Sequence, residues 1–191
     1  GVELSPTKRR LYETAMELFG RHGYHAVSIR DIAQALGQQP SAIYFHVPSK
    51  QELLYELALI GHRGHLEALR SSLLEAGADP VDQLRVLVAA HVGGHMTYPS
   101  MARLTNRELG ALTPEQLRLV LDIRMQTEQV FIDVIERGRR MGVFGTEDAF
   151  LASKAIGAMG VRLPEWWAPG GPRTREQVIE QYVAIALKIV S

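Results

Sequence analysis

The chain has 191 residues, 46% hydrophobic and 22% charged, with 21 basic and 21 acidic side chains and no cysteine. That size allows one large domain or two small ones, and the missing cysteine excludes a disulfide scaffold, a cysteine zinc site and a cysteine nucleophile. No run nears the roughly 18 apolar residues of a membrane span, and residues 1–10 lack a signal-peptide stretch, so no membrane association and a cytoplasmic location are expected.

In chain order the punctuation is helical. Ser5-Pro6 reads as an N-cap followed by proline at the first helical position, with Leu11, Ala15, Leu18 and Phe19 at helical spacing and Gly23 as the stop. Ser28 to Asp31 forms a capping-box-like start for a second helix carrying Ile29, Ile32, Ala33 and Leu36, and Gly37 closes it. Pro40 opens a third, short helix with Ile43 and Val47 one turn apart, and Pro48 stops it. Ser49 to Glu52 is a capping box for a fourth helix running through Leu53, Leu57 and Leu66 towards Leu74.

Asp79-Pro80 predicts a helix to about Tyr98, and a short helix is expected over Met101–Leu109. Thr113 to Gln116 combines a capping box with proline at the first position and starts a long helix that Gly142 should end. Thr146 is expected to cap a helix from Glu147 to about Val161, with Glu147 and Asp148 favouring its dipole from the first turn. A break rich in proline and glycine covers Pro164–Pro172, and Thr174 with Gln177 opens the last helix. No alternating run bounded by hairpin turns occurs, so the chain reads as all-α.

Residues 28–47 read as helix, three-residue turn, helix. This is a helix-turn-helix, whose second helix enters the DNA major groove, or else a generic helical corner. The second helix is short, and Ile43 and Val47 can anchor it, leaving Gln39, Ser41, Ala42, Phe45 and His46 to project. Net charge is zero overall, but residues 1–50 carry six basic against four acidic side chains, plus His22, His25 and His46.

Leu18-Phe19, Gly23-Tyr24, Val27 to Ala33, Leu36-Gly37, Ile43 to Val47 and Ser49 to Leu54 together resemble the TetR family of transcriptional regulators over about residues 7–58. Gln38 departs from that pattern where an apolar residue is usual, and Val47 where phenylalanine is common. The resemblance and the side-chain chemistry assign base reading to Arg30 (guanine), Gln39 (adenine), Ser41, and Ala42 or Phe45 against a thymine methyl. Tyr44, His46 and Lys50 are expected at phosphates, as are Thr7 and Ser28 at helix N-termini. Tyr44 also reads as a core aromatic sealing the three helices, and the two roles can coexist.

His91 and His95 sit at i, i+4, a spacing that binds zinc if a third ligand arrives. HExxH is absent, no carboxylate lies between the two, and Gly93-Gly94 does, so the pair is expected to line a polar pocket, with no metal. His62 and His65 read as a pocket wall or a partly exposed face. There is no GxSxG, P-loop or GxGxxG, so no enzyme activity, catalytic residue or cofactor is expected.

The small residues Ala149, Ala152, Ser153, Ala155, Gly157, Ala158 and Gly160 allow close helix approach, and the last helix is apolar on nearly all sides. The expectation is a homodimer through Ala152, Ala155, Val178, Tyr182 and Ile185; the alternative is a helix wholly buried in its own chain. Trp166 and Trp167 are expected to be buried in a core, an interface or a ligand site. Residues 157–190 resemble, more loosely, the C-terminal segment of TetR-type regulators of fatty-acid or steroid catabolism. Leu117, Leu121, Met125 and Phe131 recur at helical spacing, and Arg162 stands one turn before Trp166. An effector with an elongated apolar body and an anionic end, an acyl-CoA thioester, would then meet His91, His95, Met96, Met125, Arg162 and Trp166. In the alternative, Arg162 pairs with Glu165.

The expected architecture is thus a helix-turn-helix domain over residues 1–48 and a helical ligand-binding and dimerisation domain over 49–191. The expected function is an effector-released repressor on double-stranded operator DNA; the alternative is a helical sensor or interaction module without DNA binding.

Overall fold

A computed structural model describes residues 5–191. The described residues form ten α-helices and one 3₁₀ turn, with no strand among them. The helices are α1 (Pro6–His22), α2 (Ile29–Leu36), α3 (Pro40–His46), α4 (Lys50–Glu75), α5 (Pro80–Thr97), α6 (Pro99–Arg107), α7 (Pro114–Arg140), α8 (Ala149–Val161), α9 (Leu163–Trp166) and α10 (Arg175–Val190). They divide into two compact units. One runs to Gly61 and takes in Ser100–Val120; the other comprises His62–Pro99 and Leu121–Ser191. The expected division after residue 48 falls inside the first unit, because Leu53, Leu54, Leu57 and Ala58 of α4 complete the core of the N-terminal helices.

In the first unit the caps form as the residue types dictate. Ser5 Oγ accepts from the Lys8 amide at 3.3 Å, and α1 buries Leu11, Tyr12, Ala15 and Phe19. At α2 the Ser28 hydroxyl accepts from the Asp31 amide while Asp31 accepts from the Ser28 amide at 2.7 Å, a reciprocal box. Gly37 ends α2 at φ 66°, a left-handed conformation that costs glycine nothing and any other residue steric strain. Ile43 and Val47 are fully buried, which holds α3 with roughly 1.5–3 kcal/mol per side chain of apolar burial. Gln38 is exposed, so the turn asks for no apolar residue there.

In the second unit α5 packs against α8, α9 and α10, and α8 against α10. Leu84, Leu87, Val88 and Val92 of α5 meet Phe131, Val134 and Ile135 of α7, Ile156 of α8, and Val178, Ala186 and Val190 of α10 in one core. The start of α8 differs from expectation. Asp148, not Thr146, is the cap, accepting from the Leu151 amide at 2.9 Å, and Glu147 lies outside the helix. Thr146 is instead held by its backbone: its amide donates to the Val190 carbonyl at 3.1 Å, and its own carbonyl accepts from Arg139 Nε at 2.7 Å. The tryptophans are a second departure. Leu163 and Pro164 anchor α9 in the core and turn Trp166 outward, 54% exposed, while Trp167 is half-buried and donates from Nε1 to the Arg173 carbonyl at 3.2 Å.

Candidate functional site

The exposed face of α3 is the least ordinary surface of the first unit. Phe45 is 86% exposed and Tyr44 52%, on a seven-residue helix whose inward side is Ile43. A phenylalanine this bare takes no part in the packing of its own unit. Ser41 is exposed beside Phe45 at helical spacing, and Ala42 and His46 are half-buried. Gln39 is the N-cap of α3 by backbone geometry, yet its side chain makes no cap hydrogen bond and its amide stays available to a base edge. Arg30 projects from the first turn of α2. Ser28, Arg30, Tyr44 and Lys50 converge on one open groove of about 460 Å³. Tyr44 is therefore a surface residue and does not seal the core. Thr7 is exposed in the first turn of α1.

Two residues expected at phosphates have other partners. Lys50 Nζ donates to the carbonyls of Tyr24 at 2.9 Å and Val27 at 2.8 Å and lies 4.2 Å from the centre of the Tyr24 ring. It closes the turn between α1 and α2, because the two carbonyls turned together there take a common donor and a cation suits both them and the ring face. The Ser28 hydroxyl donates to Asp31 at 2.6 Å, so its proton is committed to the cap. That bond and the Ser28 amide hold the Asp31 carboxyl below its ordinary range.

Of the residues expected to line an effector site, His91 and His95 come together, with ring centroids 4.7 Å apart. His91, His95 and Met96 are buried in the second unit, while Met125 is 59% exposed and Trp166 faces outward. Arg162 pairs through Nε with Glu165 at 2.9 Å, one turn along the chain, with its side chain exposed. The structure adds a residue the sequence reading set aside: His65 of α4 places Nε2 2.9 Å from His91 Nδ1. The three rings lie edge to face with centroids 4.7–5.2 Å apart. Burial, then the neighbouring imidazoles, pushes His65 down to about 4 and His91 well below its usual value; burial lowers His95 as well. All three are neutral near pH 7. Spacing shows only the pair on α5; the third ring comes from a different helix.

The comparisons with known proteins bear on this geometry. Residues 11–57 match the family model described as bacterial regulatory proteins, tetR family, and residues 77–190 match a tetracyclin repressor-like C-terminal domain. This chain belongs to the TetR family. The transcriptional repressor KstR2 of Mycobacterium tuberculosis is 28% identical over 97% of this chain and 93% of its own length. The structure of that ketosteroid transcriptional regulator superposes with a TM-score of 0.85 at 27% identity, covering 99% of this chain and 97% of the other. A tetR-family regulatory protein from Rhodococcus RHA1 superposes with a TM-score of 0.93 at 32% identity, covering 98% of each chain. The α2–turn–α3 element is the DNA-binding helix-turn-helix of a TetR-family transcriptional repressor.

The residues expected at this regulator's dimer interface separate by burial. Ala152 and Val178 are packed inside their own chain at 4% and 2% exposure, so they offer no surface to a partner. Ala155 and Ile185 are exposed and Tyr182 is half-buried. Leu151, Ala155 and Ala158, at spacings of four and three, form an exposed apolar stripe on α8, which packs against α10. No helix among the described residues is long and apolar enough to cross a membrane.

Proposed function

We propose that this TetR-family repressor binds a palindrome-like operator as a homodimer and leaves it when a small molecule occupies the second unit. The observation that carries the DNA reading is Phe45, bare on a helix whose Ile43 and flanking Val47 are fully buried. A rigid anchor and an apolar tip suit contact with a thymine methyl in the major groove. Arg30 reads guanine, Gln39 reads adenine, and Ser41 and Ala42 complete the base contacts. Tyr44, His46 and Thr7 hold phosphates, and Lys50 lends charge to the groove from its clamp.

Two-fold symmetry sets two copies of α3 about 34 Å apart, one helical turn of DNA, or a multiple of it. The exposed stripe of Leu151, Ala155 and Ala158, with Ile185, supplies the dimer contact. The effector we favour is a steroid-derived acyl-CoA thioester. The support is that one solved structure alike over nearly the whole chain is named as a ketosteroid transcriptional regulator. Arg162 is not given its anionic end, because Glu165 holds it. Effector binding favours a spacing of the two reading helices that no longer fits the operator, a population shift.

The test is a gel shift on the native upstream region at several salt concentrations, with acyl-CoA thioesters and their free acids titrated into the complex. Specific retention that weakens with salt, and release by the thioester, is the expected result. Equal affinity for unrelated DNA sinks the operator reading; release by neither compound, at unchanged melting temperature, sinks the effector reading.

A further inference from the structure

We propose that His65, His91 and His95 hold a divalent transition-metal ion in the second unit. One ligand nitrogen from each ring can be chosen so that all three lie within 4.8 Å of one another. Two of the rings each have one nitrogen held by a backbone carbonyl. His91 Nε2 lies 3.0 Å from the Gly157 carbonyl and His95 Nδ1 2.8 Å from the His91 carbonyl. A carbonyl oxygen only accepts, so each of these nitrogens carries its ring's proton. The opposite nitrogens, His91 Nδ1 and His95 Nε2, then present lone pairs. Metal-ligating histidines are held in this way, with the second ring N–H donated to a backbone carbonyl or carboxylate.

His65 completes the set. With His91 Nδ1 unprotonated, the contact between the two rings needs the proton on His65 Nε2. A metal ion takes that proton's place as His65 shifts to its Nδ1–H tautomer, so the ring stays neutral and no net proton is released. Zinc–nitrogen bonds of about 2.0–2.1 Å put tetrahedral ligand nitrogens roughly 3.3 Å apart, so the 2.9 Å pair opens by a few tenths of an ångström, and a nitrogen as far as 4.8 Å from another closes through side-chain rotation.

The surroundings make room for the rings. A Cβ on Gly160 would overlap the His91 imidazole, and one on Gly94 would press on His65 Nδ1 at 3.3 Å. The buried imidazoles are neutral near pH 7, so no imidazolium proton is released and only the His65 tautomer changes. Three imidazoles suit zinc, copper or nickel over magnesium or calcium, and leave the fourth tetrahedral position to a donor from outside the chain.

The experiment uses the full-length protein, stripped with chelator and titrated with zinc and with cobalt(II). The expected result is one ion per chain at micromolar concentration or below, visible cobalt bands of four-coordinate intensity, and a higher melting temperature that chelator reverses. His65→Gln and His95→Gln should each weaken uptake on the order of a hundredfold or more, while His62→Gln leaves it unchanged. Imidazole ring-nitrogen NMR shifts of the unsubstituted protein identify the ligands even where a variant does not fold. No uptake at micromolar metal, uptake that survives His65→Gln, or shifts assigned to other histidines overturns the site. None of these outcomes touches the DNA-binding reading.

Discussion

The ammonium of Lys50 donates to the carbonyl of Val27 at 2.8 Å and, with the Tyr24 carbonyl, locks the turn that delivers α2. Hydrogen bonds from a charged donor are worth about 1.5–3 kcal/mol each, and cutting these takes the Lys50 donor from the Val27 and Tyr24 carbonyls. Lys50→Met should therefore lower unfolding stability by about 3 kcal/mol or more as well as weaken binding to all DNA. Urea unfolding measures the first effect. An unchanged midpoint beside a loss of affinity would assign Lys50 to a phosphate alone.

Phe45 and Arg30 should behave in the opposite way. Both are exposed, so Phe45→Ala and Arg30→Ala should leave stability within about 0.5 kcal/mol. Operator affinity should nevertheless drop by about 1–3 kcal/mol, with specificity relaxed at particular base pairs. Binding to a panel of single-base operator variants reads this out. A uniform loss across the panel would deny the pair a base-reading role.

The histidine trio sets a pH dependence for the metal-free protein. The folded-state values lie below the ordinary 6.5, so the unfolded chain takes up protons first as pH falls. Stability is full above about pH 6.5 and is lost towards pH 4, on the order of 3 kcal/mol for His65 alone. Thermal melts in chelator at pH 7 and pH 5 should show this drop, and His65→Gln should reduce it, leaving the share of His91 and His95. A melting temperature equally pH-dependent in both proteins would exclude His65 as the source.

At the dimer face, Ile185→Asp and Val178→Asp should part company. Ile185 is 43% exposed, so a charge there should give a folded monomer. Val178 is 2% exposed, and an unpaired charge in that core should unfold the unit. Light scattering and circular dichroism separate the two outcomes. A dimer that survives Ile185→Asp at micromolar concentration places the interface elsewhere.

Much of the architecture was legible in the sequence because it is local. Caps act over three residues and apolar faces repeat over four, so Ser28 with Asp31, Thr113 with Gln116 and Thr174 with Gln177 announce their helices directly. The exposed face of α3 was equally visible, since Ile43 and Val47 must point one way and Gln39, Ser41 and Phe45 another. Packing decided the rest. Lys50 became a clamp because the chain turns back 23 residues away, and Arg162 was paired by a neighbouring carboxylate before any ligand. Val178 and Ile185 sit on one apolar helix, and only the angle at which α10 meets α5 and α8 tells the buried face from the open one. His65 joined His91 and His95 across 26 residues through helix packing that glycines permit, and no spacing along one helix encodes that meeting.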